Sequence, residues 1–470
     1  MKIQGNLLKL VGIFVSIAML SMTAVADTKS RKVDKLFAEW DSTVTPGGTL
    51  GIIKDGKFIY KRGYGMANLE HNIPITTTSV FRIGSFSKQF AAACIAILSM
   101  DGKISLDDNI RKYVPEIPEY EKPITIRHLI HHTSGLRDYT YLLLFAGQRP
   151  DGDCPTIQET IDAIARQKAL NFLPGEEFSY SNSGYFLLSI IVERATGKSL
   201  NEFAQERIFK PLGMTNTHFH DDHTMIVKQR ADGYSPTENG FRINMSNWNH
   251  VGDGSVFTSI EDLLHWDQAF YNNKLGKEFL ELVHTRGVLN SGEQLDYAFG
   301  LRVSEYRGLK TVSHGGAWVG FRTMILRFPE QQFSVIILSN LGTFNPSELS
   351  YKVADIYLDE LFTEEPKKKK EEEAEQDETP ITIAIPPEKL REYTGQYFSE
   401  ELMTTFKLAI EEGALLFKQK NAWEDPLKAT APDNFISGPM TIKFQRDKKN
   451  RISGFSLNID RIKDMMFIKK

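Results

Sequence analysis

The stretch Val80 to Met100, VFRIGSFSKQFAAACIAILSM, constrains the fold more than any other part of the chain. A β-branched and aromatic run (Val80, Phe81, Ile83) gives way after Gly84 to an alanine-rich run of helix formers. Ser85 therefore opens a helix. Ser85 and Lys88, three residues apart, share one helix face, so the ammonium can reach the hydroxyl and lower its pKa or take its proton. Free N–H groups and the positive dipole end of that helix favour an alkoxide and a developing oxyanion nearby. The plainer alternative is an N-capping Ser85 and a solvated first-turn Lys88, because two common residue types at this spacing do not decide by themselves.

The length of 470 residues exceeds one ordinary core, and 41% apolar with 25% charged residues is typical of folded domains. Two domains are expected. The first 26 residues carry Lys2 and Lys9, an apolar run from Leu10 to Met22, and the small-x-small end Ala24-Val25-Ala26. They read as a secretory signal peptide, since a spanning helix needs about 20 apolar residues. No stable membrane anchor is expected after its removal, and the mature protein is expected in the periplasm or the medium. Loss of the two leader lysines takes 56 basic residues to 54 against 60 acidic, a net charge of −6 that gives no hint of a nucleic-acid partner. Only Cys94 and Cys154 are present, so no disulfide framework exists, and whether the two pair is left open.

Along the chain, Lys32 to Val44 looks helical and Gly51 to Tyr64 looks like a hairpin turning on Asp55-Gly56. The middle is mostly helical: Thr125 to His131, Thr156 to Gln167, Asn182 to Ala195, Leu200 to Phe209 and Ile260 to Tyr271. Strands return at Tyr297 to Val303, Thr311 to Ser313, Val319 to Phe328 and Phe333 to Leu338, followed by a helix from Glu348 to Leu361. One antiparallel sheet built from both ends, with a helical insertion, is the expected α+β architecture. Glu364 to Glu378 holds four basic and eight acidic residues with no aromatic, which reads as a linker. Short alternating runs beyond it (Thr404 to Ile410, Leu415 to Gln419, Thr441 to Gln445, Ile452 to Leu457, Met465 to Ile468) describe a small all-β barrel or sandwich. The boundaries expected are a leader at 1–26, a main domain at 27–362, a linker at 363–381 and a β-domain at 382–470.

Two clusters supply what the serine and lysine need. Glu176 to Asn182 carries a phenol at Tyr180 and an amide at Asn182 just before a helix; the first can relay protons and the second can orient a carbonyl. Ser313-His314-Gly315-Gly316-Ala317-Trp318 carries glycines that let a substrate backbone lie along a strand edge. A loop tyrosine with a capping asparagine, and a tight turn at His314, are the plainer alternatives.

The ordered set Ser85-x-x-Lys88, Tyr180-x-Asn182 and His314-Gly315-Gly316 resembles the three motifs of the serine β-lactamase and penicillin-binding protein superfamily, in the form found in class C β-lactamases and related esterases and D-aminopeptidases. His128 to Leu136, Pro211 to Met214 and Gly252 to Ser255 are family-like as well, and the tail beginning Leu390-x-x-Tyr393-x-Gly395-x-Tyr397 resembles an appended lipocalin-like domain. The resemblance implies a β-lactamase/transpeptidase-like domain acting through an acyl-enzyme without a metal or cofactor. Ser85 would be the nucleophile, Lys88 and Tyr180 would shuttle its proton, and the Ser85 and Ala317 N–H groups would bind the oxyanion. Asn182, His314, Gly315, Gly316 and Ala317 would hold the substrate: a D-amino-acid peptide, a muropeptide or other peptidoglycan fragment, an ester or a β-lactam. Lys-Thr-Gly of class C enzymes is replaced by His314-Gly315-Gly316, which removes a permanent cation for a substrate carboxylate. A histidine titrating near pH 6.5 would supply that charge only in acid, so carboxylate substrates are expected to gain as pH falls.

Two other readings remain. A non-catalytic module could bind penicillin or peptidoglycan without turnover. Alternatively His218-x-His220-x-Asp222-His223 matches a zinc-hydrolase pattern, with three imidazoles and a carboxylate close in sequence. The His128, His131, His132 group also has helical metal spacing.

Overall fold

The computed structural model describes residues 28–365, 382–418 and 426–470. The leader and nearly all of the charged linker lie outside the described residues. A six-stranded antiparallel sheet runs in the order Arg302–Tyr306, Leu309–Trp318, Phe321–Phe328, Phe333–Ser339, Gly48–Lys54, Lys57–Tyr64. Gly48–Lys54 and Phe333–Ser339, the first and last of these strands in sequence, thus pair inside it. Asp55 and Gly56 adopt φ of 49° and 79°, the left-handed pair that a two-residue hairpin needs to match strand twist.

The sheet is apolar on both faces. Leu50, Ile52, Leu326, Phe328, Val335 and Ile337 pack with Phe37 and with the helix Pro346–Leu358. Ile53, Ile325, Ile336 and Leu338 share the other core with the helix Lys88–Met100. Residues 88–98 of that helix are all buried, so its alanines are what allow close packing against the helix Asn182–Thr196. The intervening helices begin where caps are available: Thr125, Thr156 and Ser199 each close a capping box.

Several boundaries differ from expectation. The strand expected over Tyr297 to Val303 is Arg302–Tyr306, because Tyr297 and Phe299 are drawn into the helical core instead. Ser85 lies in a 3-10 turn, Gly84–Ser87, and the α-helix proper begins at Lys88. The helix Tyr139–Phe145 had no sequence signal beyond an apolar run, because its two sides enter two different cores. Tyr139 and Leu143 face the main one, while Leu142 and Phe145 join the core of the C-terminal domain.

That domain is an eight-stranded, nearly closed antiparallel barrel. Its strands run Ala414–Lys418, Thr404–Glu411, Gly395–Ser399, Ile462–Lys469, Ile452–Ile459, Met440–Arg446, Asn434–Ser437, Lys428–Ala431, and a bridge between Leu415 and Leu427 brings the two edges together. Phe406, Phe417, Phe444, Phe455 and Phe467 fill its interior. Short alternating strands suit this closure, since a closed barrel leaves no edge unpaired. Among the described residues, no helix is long and apolar enough to cross a membrane.

Candidate active site

The nucleophile turn is fixed by close backbone approach. Gly84 has φ +52°, and a Cβ there would lie 2.9 Å from the Ala317 nitrogen; a Cβ on Gly316 would lie 1.9 Å from the Ile83 carbonyl oxygen. Glycine at both positions lets the strand Leu309–Trp318 ride directly on the turn. Thr323 Oγ1 donates to the Ile83 carbonyl at 2.8 Å and ties the next strand to the same point. Ser87 Oγ accepts from Val256 N at 2.9 Å, which holds the 253–256 loop on the other side.

Lys88 Nζ lies 3.2 Å from Ser85 Oγ, 2.8 Å from Asn182 Oδ1 and 2.7 Å from the Asp253 carbonyl oxygen. The three donors of an ammonium therefore have three acceptors. The Tyr180 ring sits 4.8 Å from Nζ, and its hydroxyl is buried with no hydrogen-bond partner in the protein. Ser181, not Asn182, is the N-cap of the second helix, and this frees the Asn182 side chain for Lys88. Asn182 N donates to the buried Asp138 Oδ2 at 2.8 Å, so the asparagine is clamped at both ends.

Asp253 was not singled out from the sequence beyond its place in Gly252-Asp253-Gly254-Ser255. Its carbonyl serves Lys88, and its carboxylate accepts from Tyr139 Oη at 3.0 Å. Burial pushes that carboxyl up to about 6. Tyr139, Asp253, Arg82 and His250 line a chamber of about 50 Å³ behind Ser85 and Ala317.

His314 lies beside the catalytic group but does not behave as expected. It is almost fully buried; Nδ1–H donates to the Gly315 carbonyl at 2.6 Å, and Nε2 accepts from Tyr297 Oη at 2.9 Å. Burial, with Lys88 nearby, lowers its pKa to about 3. The expected acid-side charging of His314 is therefore corrected: both ring nitrogens are committed and the imidazole stays neutral through the ordinary pH range.

Of the zinc-pattern residues only His218 and His220 meet. His218 Nε2 faces His220 Nδ1 at 3.2 Å, Asp222 turns to Thr224, and His223 Nδ1 faces Asn249 Oδ1 at 3.1 Å. His132 packs tilted against the Tyr180 ring, with centroids 4.2 Å apart, and accepts from Ser181 N, while His131 bonds backbone carbonyls. Among the described residues, no group of three or more His, Cys, Asp or Glu could hold a metal ion. Cys94 is buried and Cys154 exposed, both as free thiols.

From Ser85 a larger cleft of about 770 Å³ opens past Tyr180, His314 and Trp318 to Asn345. One of its walls belongs to the barrel: Arg461, in the turn between Ile459 and Ile462, reaches to 4.9 Å from the Tyr180 ring. Nothing in the spacing of the tail pointed to this residue.

A serine, lysine, tyrosine and asparagine gathered where two helices begin beside an antiparallel sheet define a serine hydrolase of the acyl-transfer class. The family profile described as Beta-lactamase matches residues 33–357. A penicillin-binding protein of Bacillus subtilis is 30% identical over 66% of this chain and 72% of its own length. A D-aminopeptidase of Gluconobacter oxydans is 31% identical over 63% of this chain, which spans only 56% of that relative. The octameric penicillin-binding protein homologue from Pyrococcus abyssi superposes with a TM-score of 0.64 at 25% identity, covering 94% of this chain and 98% of the other. The chain belongs to the β-lactamase/transpeptidase-like family of serine hydrolases, with a C-terminal all-β barrel.

Proposed function

We propose that this chain is an exported hydrolase that cleaves amide bonds of D-amino-acid substrates through an acyl-enzyme on Ser85. The observation that carries the reading is Lys88 Nζ, 3.2 Å from Ser85 Oγ and held there by Asn182 and the Asp253 carbonyl. With all three ammonium donors engaged, Lys88 favours the alkoxide by its charge. Tyr180, whose buried phenol oxygen has no protein partner, acts as the general base in its phenolate form beside the Lys88 ammonium and takes the serine proton as Oγ attacks. The carbonyl oxygen becomes an oxyanion bound by the Ser85 and Ala317 N–H groups, both at the rim of the cleft. Collapse breaks the C–N bond, and the same proton passes to the departing amine. Water then attacks the ester, its proton follows the reverse route to Ser85, and the carboxylic acid leaves.

The D-amino-acid preference is supported by the D-aminopeptidases among the relatives, and export by the leader-like first 26 residues. Peptidoglycan fragments fit the same preference as natural substrates. The test is a pair of N-acetylated D- and L-amino-acid p-nitroanilides with the wild type and Ser85→Ala. Turnover of the D-compound that disappears in the variant is expected. Stoichiometric labelling by penicillin with no turnover of any amide, ester or β-lactam would favour the non-catalytic binding module instead.

A further inference from the structure

Among the described residues that line the cleft, the charged ones are Arg302, Arg322 and Arg461, with no aspartate or glutamate. His314 adds no charge, because its nitrogens are taken by Gly315 and Tyr297. A substrate with a free ammonium near the scissile bond would meet three guanidinium groups, whereas an anionic one would meet complementary charge in a partly water-excluded site.

Of the three arginines, Arg461 is the one held at the catalytic centre. The Arg461 carbonyl accepts from Asn171 Nδ2 at 2.9 Å and from Asp138 N at 3.4 Å, so the main domain fixes the turn that carries it. Its guanidinium lies over Tyr180, with Nη1 3.3 Å from Asp138 Oδ2 and Nε 3.1 Å from Asp460. Asp138 is already committed, accepting from Asn182 N and Thr140 N, and Asp460 is largely exposed. With 28% of its side-chain surface open, Arg461 lines the cleft. Arg322, by contrast, spends Nη1 on the Val319 and Phe321 carbonyls, and Arg302 is an exposed residue on the edge strand.

We infer that Arg461, delivered by the barrel, binds a carboxylate of the substrate close to the scissile amide, so that the preferred substrates are peptides or amides bearing a free carboxylate there and not a free ammonium. The guanidinium would replace, from another domain, the cation missing from the third motif. This rests on the acyl-enzyme reading at Ser85. Its position beside Tyr180, the group that protonates the departing amine, puts the carboxylate on the leaving-group side.

The test uses the full-length protein and three substrates: N-acetyl-D-phenylalanyl-D-alanine, its C-terminal carboxamide, and the non-acetylated carboxamide with a free ammonium. The wild type is expected to favour the carboxylate over the acetylated carboxamide in kcat/KM by roughly 10- to 100-fold, the range of a charge-assisted hydrogen bond. The preference should shrink with added salt. Arg461→Gln should reduce the ratio to near one, and Arg461→Lys should restore part of it. Equal rates on the carboxylate and its carboxamide in the wild type, a preference for the free ammonium, or a ratio untouched by Arg461→Gln in a folded variant would overturn the assignment. The wild-type ratio needs no variant to fold. Loss of turnover on all three would instead overturn the Ser85 reading beneath it.

Discussion

Arg137 Nη1 lies 2.7 Å from Glu401 Oε1, and both side chains are buried at the junction of the two domains. Further bonds hold the pair: Arg137 also donates to Gln167 Oε1 and the Lys463 carbonyl, and Glu401 Oε1 accepts from Lys168 N. A buried pair left with one member is an uncompensated charge, so Glu401→Ala should cost about 3–5 kcal/mol in unfolding free energy. The loss should be read by denaturant titration, with barrel undocking seen as new protease cleavage.

This docking changes what proteolysis should do. The charged linker alone suggests that a cut there would release two folded pieces. With Leu142 and Phe145 in the barrel core and Arg461 in the cleft, the nicked protein should stay associated and active on gel filtration. Separate elution of two pieces would contradict the docked arrangement.

His314 gives a pH prediction. Lys88 and Arg302 bear on it, and Tyr297, Tyr180 and Gly315 surround it. A histidine lowered to about 3 stays neutral between pH 5.5 and 8, so the carboxylate-to-carboxamide ratio of kcat/KM should be flat over that range. A ratio that rises more than about three-fold towards acid would show that His314 titrates.

Stability should nevertheless fall in acid. Burial lowers His131 to about 4, lowers His220, His250 and His314 to about 3, and holds His132 well below its ordinary value. Each takes up a proton on unfolding below its unfolded value of about 6.5, so its contribution is present above that pH and is lost as pH falls towards the folded value. Asp253, raised to about 6, works in the opposite sense as a single group. Going from pH 7 to 5.5 should cost about 1 kcal/mol per histidine, read as a drop in Tm; an unchanged Tm would contradict the neutral, buried assignment.

Gly316→Ala tests the seating of the third motif. A Cβ 1.9 Å from the Ile83 carbonyl must push the strand off the nucleophile turn, at about 1–3 kcal/mol, and Ala317 N would move with it. Activity should fall more than stability. An alanine variant with wild-type kcat would mean that the strand does not position the oxyanion donor.

The three motifs were legible because they are local: a Ser-x-x-Lys at a strand-to-helix junction, a Tyr-x-Asn at a helix start and two glycines in a strand. The Asp55-Gly56 turn was legible for the same reason. What escaped was set by contacts far apart in sequence. Asp253 enters through its carbonyl, which carries no side-chain signal. His314 is enclosed by Tyr297 and Gly315, and Tyr297 lies 17 positions away in sequence. Arg461 lies more than 270 positions beyond Asn182 in an ordinary-looking Asp-Arg turn, and only the docking of Leu142, Phe145 and Arg137 brings it to the cleft.

The most direct measurement is intact-protein mass spectrometry of the enzyme quenched during turnover of a slow D-amino-acid ester, followed by peptide mapping. One acyl group per chain, located on Ser85 and absent from Ser85→Ala, is the predicted result. An acyl group on any other residue, or turnover by Ser85→Ala at more than about one thousandth of the wild-type rate, would contradict the account.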